Sequence, residues 1–194
     1  EVRRSYPSVY GIKIKKKLLD VINGEMVDGD SILDVGASDR SLGDKITARY
    51  PSITYKTMDI DKTRTHDYYS LDDVSESFNM IILSEVIEHL EFADGISMLG
   101  RLFELLKRGG RIIVSTPNLH HPNRYWWDTD HKTPYRYDVL GAALLSAGFT
   151  VDRIFRTYND QIFRRFIRMY IALHLHRYLD IDFAKSIIAV ASKR

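Results

Sequence analysis

The sequence contains no cysteine. That excludes disulfides, thiol nucleophiles and cysteine-based zinc or iron–sulfur sites, so any metal must be held by histidines and carboxylates. No apolar run approaches the roughly 18 residues that a membrane-spanning helix needs. The opening stretch EVRRSYPSVYG likewise lacks the apolar core of a signal peptide. A soluble, cytoplasmic protein is therefore expected; the chain opens on Glu1 rather than Met, as a processed or trimmed chain does. An excess of charge of one sign is also missing. Lys and Arg number 28 against 26 Asp and Glu, a net charge of +2, too balanced to argue for nucleic acid by itself. The distribution is less even: Lys62 and Arg64 are the only Lys or Arg between residues 59 and 91, a stretch rich in acids. The first 20 residues instead carry Arg3, Arg4, Lys13, Lys15, Lys16 and Lys17 against Glu1 and Asp20.

What is present suffices for a core. With 194 residues and 44% hydrophobic content the chain is expected to form a single domain, residues 1 to 194. Apolar spacing predicts a helix over about 11–24, with Ile12, Leu18, Leu19 and Ile22 on its buried side. Strands and helices then alternate: a strand over 31–36, a helix to Tyr50, strands over 53–59 and 78–83, a helix over 92–107 and a strand over 111–115. A helix over 138–147, a strand over 149–155, a basic helical segment at about 160–178 and a strand over 186–192 complete the chain. Such alternation predicts an α/β fold, a mostly parallel sheet with helices on both faces, which binds ligands at the carboxyl ends of its strands.

The stretch Ile32-Leu-Asp-Val-Gly-Ala-Ser-Asp-Arg-Ser-Leu-Gly43 reads as a buried strand entering a tight turn. By itself it fits a structural strand–turn–helix as well as a ligand turn. Joined to an acid at the end of the next strand, Asp59, and to Lys107-Arg-Gly-Gly-Arg-Ile-Ile-Val, it resembles the class I S-adenosylmethionine-dependent methyltransferases. The resemblance covers nearly the whole chain in the right order. It implies a three-layer Rossmann-like fold with a seven-stranded sheet, and S-adenosylmethionine as cofactor. The cofactor contacts it implies are Asp34, Gly36, Ala37 and Ser38 at the turn, Asp59 and Ile60 for the ribose, Asp67 and Tyr68 near the adenine, and Ser84. A carboxylate can accept both ribose hydroxyls, and a glycine without Cβ lets the backbone approach a ligand closely. Ser38 and Arg40 stand where the family most often has its second and third glycines, and Asn79 where it often has Asp. An arginine there needs either a negative φ or a strain cost of about 1 kcal/mol.

A second constellation is Leu83-Ser-Glu-Val-Ile-Glu-His-Leu90. On a helix starting here, Glu85, Glu88 and His89 would share one face. Many methyltransferases of this class have Glu-x-x-Glu-His at this place, among them the ubiquinone-biosynthesis O-methyltransferases and the small-RNA 2′-O-methyltransferases. In the latter a histidine of a downstream Asp-His-Lys segment, similar to Asp130-His131-Lys132, completes a metal site. That resemblance weakens after His131, where Thr-Pro-Tyr-Arg-Tyr follows. The favoured expectation has no metal and takes Glu85, His89 and His131 as catalytic residues facing the acceptor, since imidazole titrates near neutrality. The alternative is a divalent metal on Glu85, Glu88, His89 and His131, better suited to Mn²⁺, Fe²⁺ or Co²⁺ than to Mg²⁺.

Between Pro117 and Asp138 runs an aromatic loop with Tyr125, Trp126, Trp127, Tyr135 and Tyr137, which either line an acceptor or close the core. The 160–178 segment gathers Phe163, Phe166, Ile167, Tyr170 and Leu173 on one helical face and Arg164, Arg165 and Arg168 on another, as a packed amphipathic helix, a lid, a dimer contact or a phosphate-binding face would. The expected activity is methyl transfer to an oxygen or nitrogen of a small or modest-sized acceptor, anionic or aromatic in character. A metal-dependent RNA 2′-O-methyltransferase and a non-catalytic binding relative are the two rival readings.

Overall fold

A computed structural model describes the backbone of residues 1–194 and every side chain except those of Ile162 and Met169. In chain order its elements are α1 (Val2–Ser5), β1 (Lys13–Lys15), α2 (Leu18–Glu25), β2 (Ser31–Val35), α3 (Ser41–Arg49), β3 (Thr54–Met58) and β4 (Phe78–Ser84). They continue with α4 (Phe92–Leu105), β5 (Leu106–Pro117), α5 (Tyr137–Ser146), β6 (Thr150–Thr157), α6 (Ile162–Phe166), α7 (Leu173–Tyr178) and β7 (Ser186–Ser192). A π-helical turn, Ile167–Ile171, joins α6 to α7.

Seven strands form one sheet in the order β1-β6-β7-β5-β4-β2-β3, parallel except for β7, which runs antiparallel to both β5 and β6. Period-two alternation divides the core between the sheet's faces. Leu33, Val35, Ile81, Leu83, Ile112 and Val114 pack with Leu99 and Leu102 of α4 and Leu140 and Leu144 of α5. Ile32, Met80, Ile82, Ile113, Ile188 and Val190 pack instead with Val21 and Ile22 of α2 and Ile46 of α3. The expected three-layer α/β architecture is thus present.

One expectation needs correction. The helix expected from residue 11 begins only at Leu18, because Ile12-Lys13-Ile14-Lys15 alternates with period two and pairs parallel with Phe155–Thr157 of β6. Branched isoleucines between lysines suit a strand at a sheet edge, where the charges remain solvated. Between β3 and β4 the backbone makes only a single parallel bridge, Met58 with Tyr68, so the seventh strand of the implied sheet does not lie there. The seventh strand is therefore β1, at the opposite edge.

β5 extends back to Leu106 through Gly109-Gly110, beside a register shift between Phe78 and Met80. A Cβ on Gly110 would lie 2.9 Å from the Asn79 carbonyl oxygen, so Gly110 serves close strand approach. No helix among the described residues is long and apolar enough to cross a membrane.

Candidate active site

β2 and β4 are adjacent although the chain leaves β2 for β3 at the far edge and then returns. This reversal opens a crevice at their carboxyl ends, the usual ligand position in such sheets. The turn after β2 lies on one side of it and the Glu85–His89 segment on the other.

The turn keeps a glycine-like backbone without the glycines. Gly36, Ser38 and Arg40 all have positive φ, at 76°, 48° and 61°. Arg40 thus takes the strained alternative, held by its Nη1 donating to the Thr65 carbonyl at 3.1 Å. Gly36 cannot be replaced cheaply, since a Cβ there would lie 2.3 Å from Cγ2 of Val86. The Ser38 amide donates to Asp59 Oδ2 at 2.8 Å, and the Asp61 amide donates to Asp59 Oδ1 at 2.9 Å. Ala37 is buried, Ile60 is exposed beside Asp59, and an open cavity of about 460 Å³ is lined by Ser38, Asp39, Arg40, Arg64 and Thr65.

The other expected cofactor contacts diverge. Asp34 is buried on the α3 side of the sheet, where the Tyr55 hydroxyl donates to it at 2.8 Å. Burial raises its pKa to about 6 despite that hydrogen bond. Asp67 accepts from the Thr57 amide and hydroxyl at 2.9 and 3.0 Å and from Lys56 at 3.2 Å, so its carboxylate ties the following loop to β3. Burial would raise its pKa, but these hydrogen bonds bring it below the usual value. The Tyr68 hydroxyl donates to Glu76. Ser84 shares a hydrogen bond with Ser115 and lines a cavity on the far side of β4 from the turn.

Beyond β4 the backbone does not start a helix at Glu85. Glu85 has φ 54°, and a single 3-10 turn spans Ile87–His89. Glu85, Glu88 and His89 therefore do not share a helical face. Glu85 accepts from the Ser115 hydroxyl at 3.0 Å and lies 3.7 Å from Arg124; burial raises its pKa. Glu88, His89 and His131 instead converge, with one donor atom from each within 4.8 Å of the others. Glu88 is fully buried, and both its carboxylate oxygens lack a hydrogen-bond partner among the described residues. Burial, reinforced by the Glu85 charge, pushes its pKa up to about 8.

His131 is positioned by backbone. The amides of Lys132 and Thr133 donate to the Glu88 carbonyl at 2.8 and 3.0 Å, and the Thr133 hydroxyl donates to the Leu90 carbonyl at 2.7 Å. His131 Nδ1 lies 2.6 Å from the Tyr125 carbonyl. Because a carbonyl only accepts, Nδ1 carries the proton and Nε2 is left as acceptor in the neutral ring. The His89 and His131 ring centroids are 4.7 Å apart, edge to face.

The loop aromatics divide. Tyr125, Tyr135 and Tyr137 are buried, whereas Trp126 and Trp127 are exposed. Two features were not legible beforehand. Arg124 stands beside Glu85 with its guanidinium 5.4 Å from the Trp127 ring centroid. Arg156 pairs with Asp182 at 2.7 Å in the interior, and Asn118 Nδ2 donates to Asp182 at 2.9 Å, bracing the loop against the segment before β7. Nothing local in the sequence marks these pairs, since their members lie on different elements.

Comparison with known proteins agrees with this fold. The family model described as a methyltransferase domain matches residues 11–154. A SAM-dependent methyltransferase of Archaeoglobus fulgidus superposes with a TM-score of 0.68 at 16% identity, covering 99% of this chain and 91% of that one. A second SAM-dependent methyltransferase, from Methanosarcina mazei, gives 0.63 at 11% identity, covering 89% and 96%. A cyclopropane synthase of Mycobacterium tuberculosis gives 0.63 at 11% identity, covering 90% and 82%. At such identities the likeness concerns the fold alone. No curated protein matches the chain in sequence.

Proposed function

The chain belongs to the methyltransferase domain family, and on that premise we propose that it moves a methyl group from S-adenosylmethionine to an oxygen or nitrogen of a modest-sized acceptor. The observation that carries this reading is the pair His89–His131, set against buried Glu88 across the crevice from the Gly36–Arg40 turn. The turn fits the cofactor: its left-handed Ser38 and Arg40 border an open cavity, and Asp59 at the β3 end has lone pairs beyond those that the Ser38 and Asp61 amides use. In this reading Asp59 holds the ribose hydroxyls, Gly36, Ala37 and Ser38 present backbone to the ligand, and Ile60 covers it. Asp34 and Asp67 act indirectly, through Tyr55 and through Thr57 and Lys56.

When bound, S-adenosylmethionine supplies an electrophilic methyl on a good leaving group, so alignment of the reactants accounts for much of the rate. The chain's own contribution is orientation and proton removal. His131 Nε2 takes the proton of the acceptor hydroxyl or amine, while Nδ1–H stays on the Tyr125 carbonyl and keeps the ring fixed. Glu88, with its pKa near 8, is largely neutral at pH 7 and does not trap His89 or His131 as a permanent ion pair. Glu85 orients Ser115 and Arg124 at the acceptor side.

The convergence of Glu88, His89 and His131 supports a second reading, in which these three hold a divalent metal. Two imidazoles favour Mn²⁺, Fe²⁺ or Co²⁺ over Mg²⁺, and Glu88 would give up its proton to the ion. Glu85, engaged with Ser115, lies outside the set. Calorimetric titration with S-adenosylmethionine and S-adenosylhomocysteine, with EDTA and then with Mn²⁺, tests both readings. Dissociation constants on the order of micromolar in EDTA support the first. Binding that needs Mn²⁺, lost in His131→Ala, supports the second. No binding at millimolar ligand in either condition overturns both.

A further inference from the structure

Three segments bring four cations to the carboxyl edge of the sheet on the acceptor side. Lys16 and Lys17 follow β1, Lys185 precedes β7, and Arg124 comes from the loop after β5. With Ser84, Glu85 and Ser115 they line a cavity of about 250 Å³. A second cavity of about 410 Å³ adjoins it, sharing Asn159 and Lys185, and adds Arg164 and Arg168.

Several of the protein's arginines are offset by acids. Arg3, Arg101, Arg111, Arg153 and Arg156 each lie within ion-pair distance of a carboxylate, and in the second cavity Asp160 offsets Arg164 and Arg168. In the first cavity the only acid is Glu85. Among the described residues no carboxylate lies within ion-pair distance of Lys16 or Lys185. Arg124 has Glu85 at 3.7 Å as its ion-pair partner, while among the described residues its buried Nε has no hydrogen-bond partner. One carboxylate against four cations leaves the cavity net positive, and a buried unpaired N–H is costly, so the arrangement suits an anion from outside.

We propose that the methyl acceptor carries a phosphoryl group, which Lys16, Lys185 and the Arg124 guanidinium hold in the first cavity while the acceptor's nucleophile faces the His89–His131 pair. The assignment rests on the methyltransferase reading for the acceptor's chemistry. Arg124 presents a planar fork that matches a phosphate's oxygens, the lysines add point charge, and the Asn159 amide can donate a hydrogen bond. The cavity is compact, and the remaining basic residues of the N-terminal region do not extend it into a stripe. Arg3 pairs with Asp138, beside a different cavity, and Lys15 lies over the Phe155 ring. A phosphorylated small molecule therefore fits better than an RNA strand, whose backbone needs a continuous basic track.

The test uses the whole chain with saturating S-adenosylhomocysteine, in EDTA and low salt, titrated in turn with inorganic phosphate, pyrophosphate and citrate. Saturable binding of phosphate or pyrophosphate, tighter than of citrate, is expected. It should weaken at least about tenfold in Lys16→Ala/Lys185→Ala and in Lys185→Glu. Lys45→Ala, on the exposed side of α3, should bind as the native chain does. No saturable phosphate or pyrophosphate binding, equal binding of citrate, or binding untouched by the lysine variants would overturn the proposal. A single-stranded RNA bound in preference to pyrophosphate, through the same lysines, would also overturn it. S-adenosylhomocysteine is read in its own titration: its failure to bind would count against the cofactor site alone, and its retention in the variants shows that they are folded.

Discussion

The amide of Ser38, on a residue with φ 48°, donates to the carboxylate of Asp59 across 2.8 Å. One side chain at the end of β3 thus holds the turn after β2 in a left-handed conformation that the turn's own residues do not favour. Asp59→Ala should lower stability by about 1–3 kcal/mol through loss of the bonds from Ser38 and Asp61. S-adenosylhomocysteine affinity should fall at least about tenfold. Urea denaturation and calorimetry read the two effects separately, and unchanged affinity would remove Asp59 from the cofactor site.

The strain in the turn can be measured by exchanging its residues. Ser38→Gly relieves an unfavourable φ and should stabilise the protein by up to about 1 kcal/mol, net of glycine's extra unfolded-state entropy. Gly36→Ala should act in the opposite direction, by about 2 kcal/mol or more, because its φ is 76° and its Cβ would collide with Val86. Denaturation midpoints moving the same way in both variants would contradict this account.

Glu88 makes stability depend on pH. Its pKa rises from 4.5 to about 8 in the folded protein, so between these values the folded state binds more protons than the unfolded one. Its favourable contribution is present below pH 4.5 and is lost as pH rises through 8. Asp34, raised from 3.8 to about 6, has the same sign but completes its change earlier. The native chain should therefore lose stability relative to Glu88→Gln between pH 6 and 8. Parallel stability curves in EDTA would show that the Glu88 carboxyl is not held in its acid form.

Arg156 and Asp182 form a buried pair, with Asn118 bonded to the same carboxylate. Asp182→Ala leaves a guanidinium uncompensated in the interior and should cost about 3–5 kcal/mol. Asp182→Asn, which retains a hydrogen-bond acceptor, should cost less. Equal losses in equilibrium denaturation would mean that charge contributes nothing there.

Local pattern in the sequence determined much of this protein. Buried runs such as strand β4 and the segment before Gly36, and the amphipathic spacing of α4, are visible because alternation and helical periodicity act over a few neighbouring residues. The same local logic explains one error: Ile12 and Ile14 suit a helix face or an edge strand, and only the free edge of β6 selects the strand. What the tertiary structure decided lies where distant segments meet. The left-handed φ at Glu85 removes it from the Glu88–His89 side, and the amides of Lys132 and Thr133 on the Glu88 carbonyl bring His131 to its partners. Lys16, Arg124 and Lys185 become neighbours because β1 and β5 end, and antiparallel β7 begins, at one edge of one sheet. Periodicity carries no information about such meetings, because they depend on which strands pair and on backbone conformations fixed by contacts across the fold.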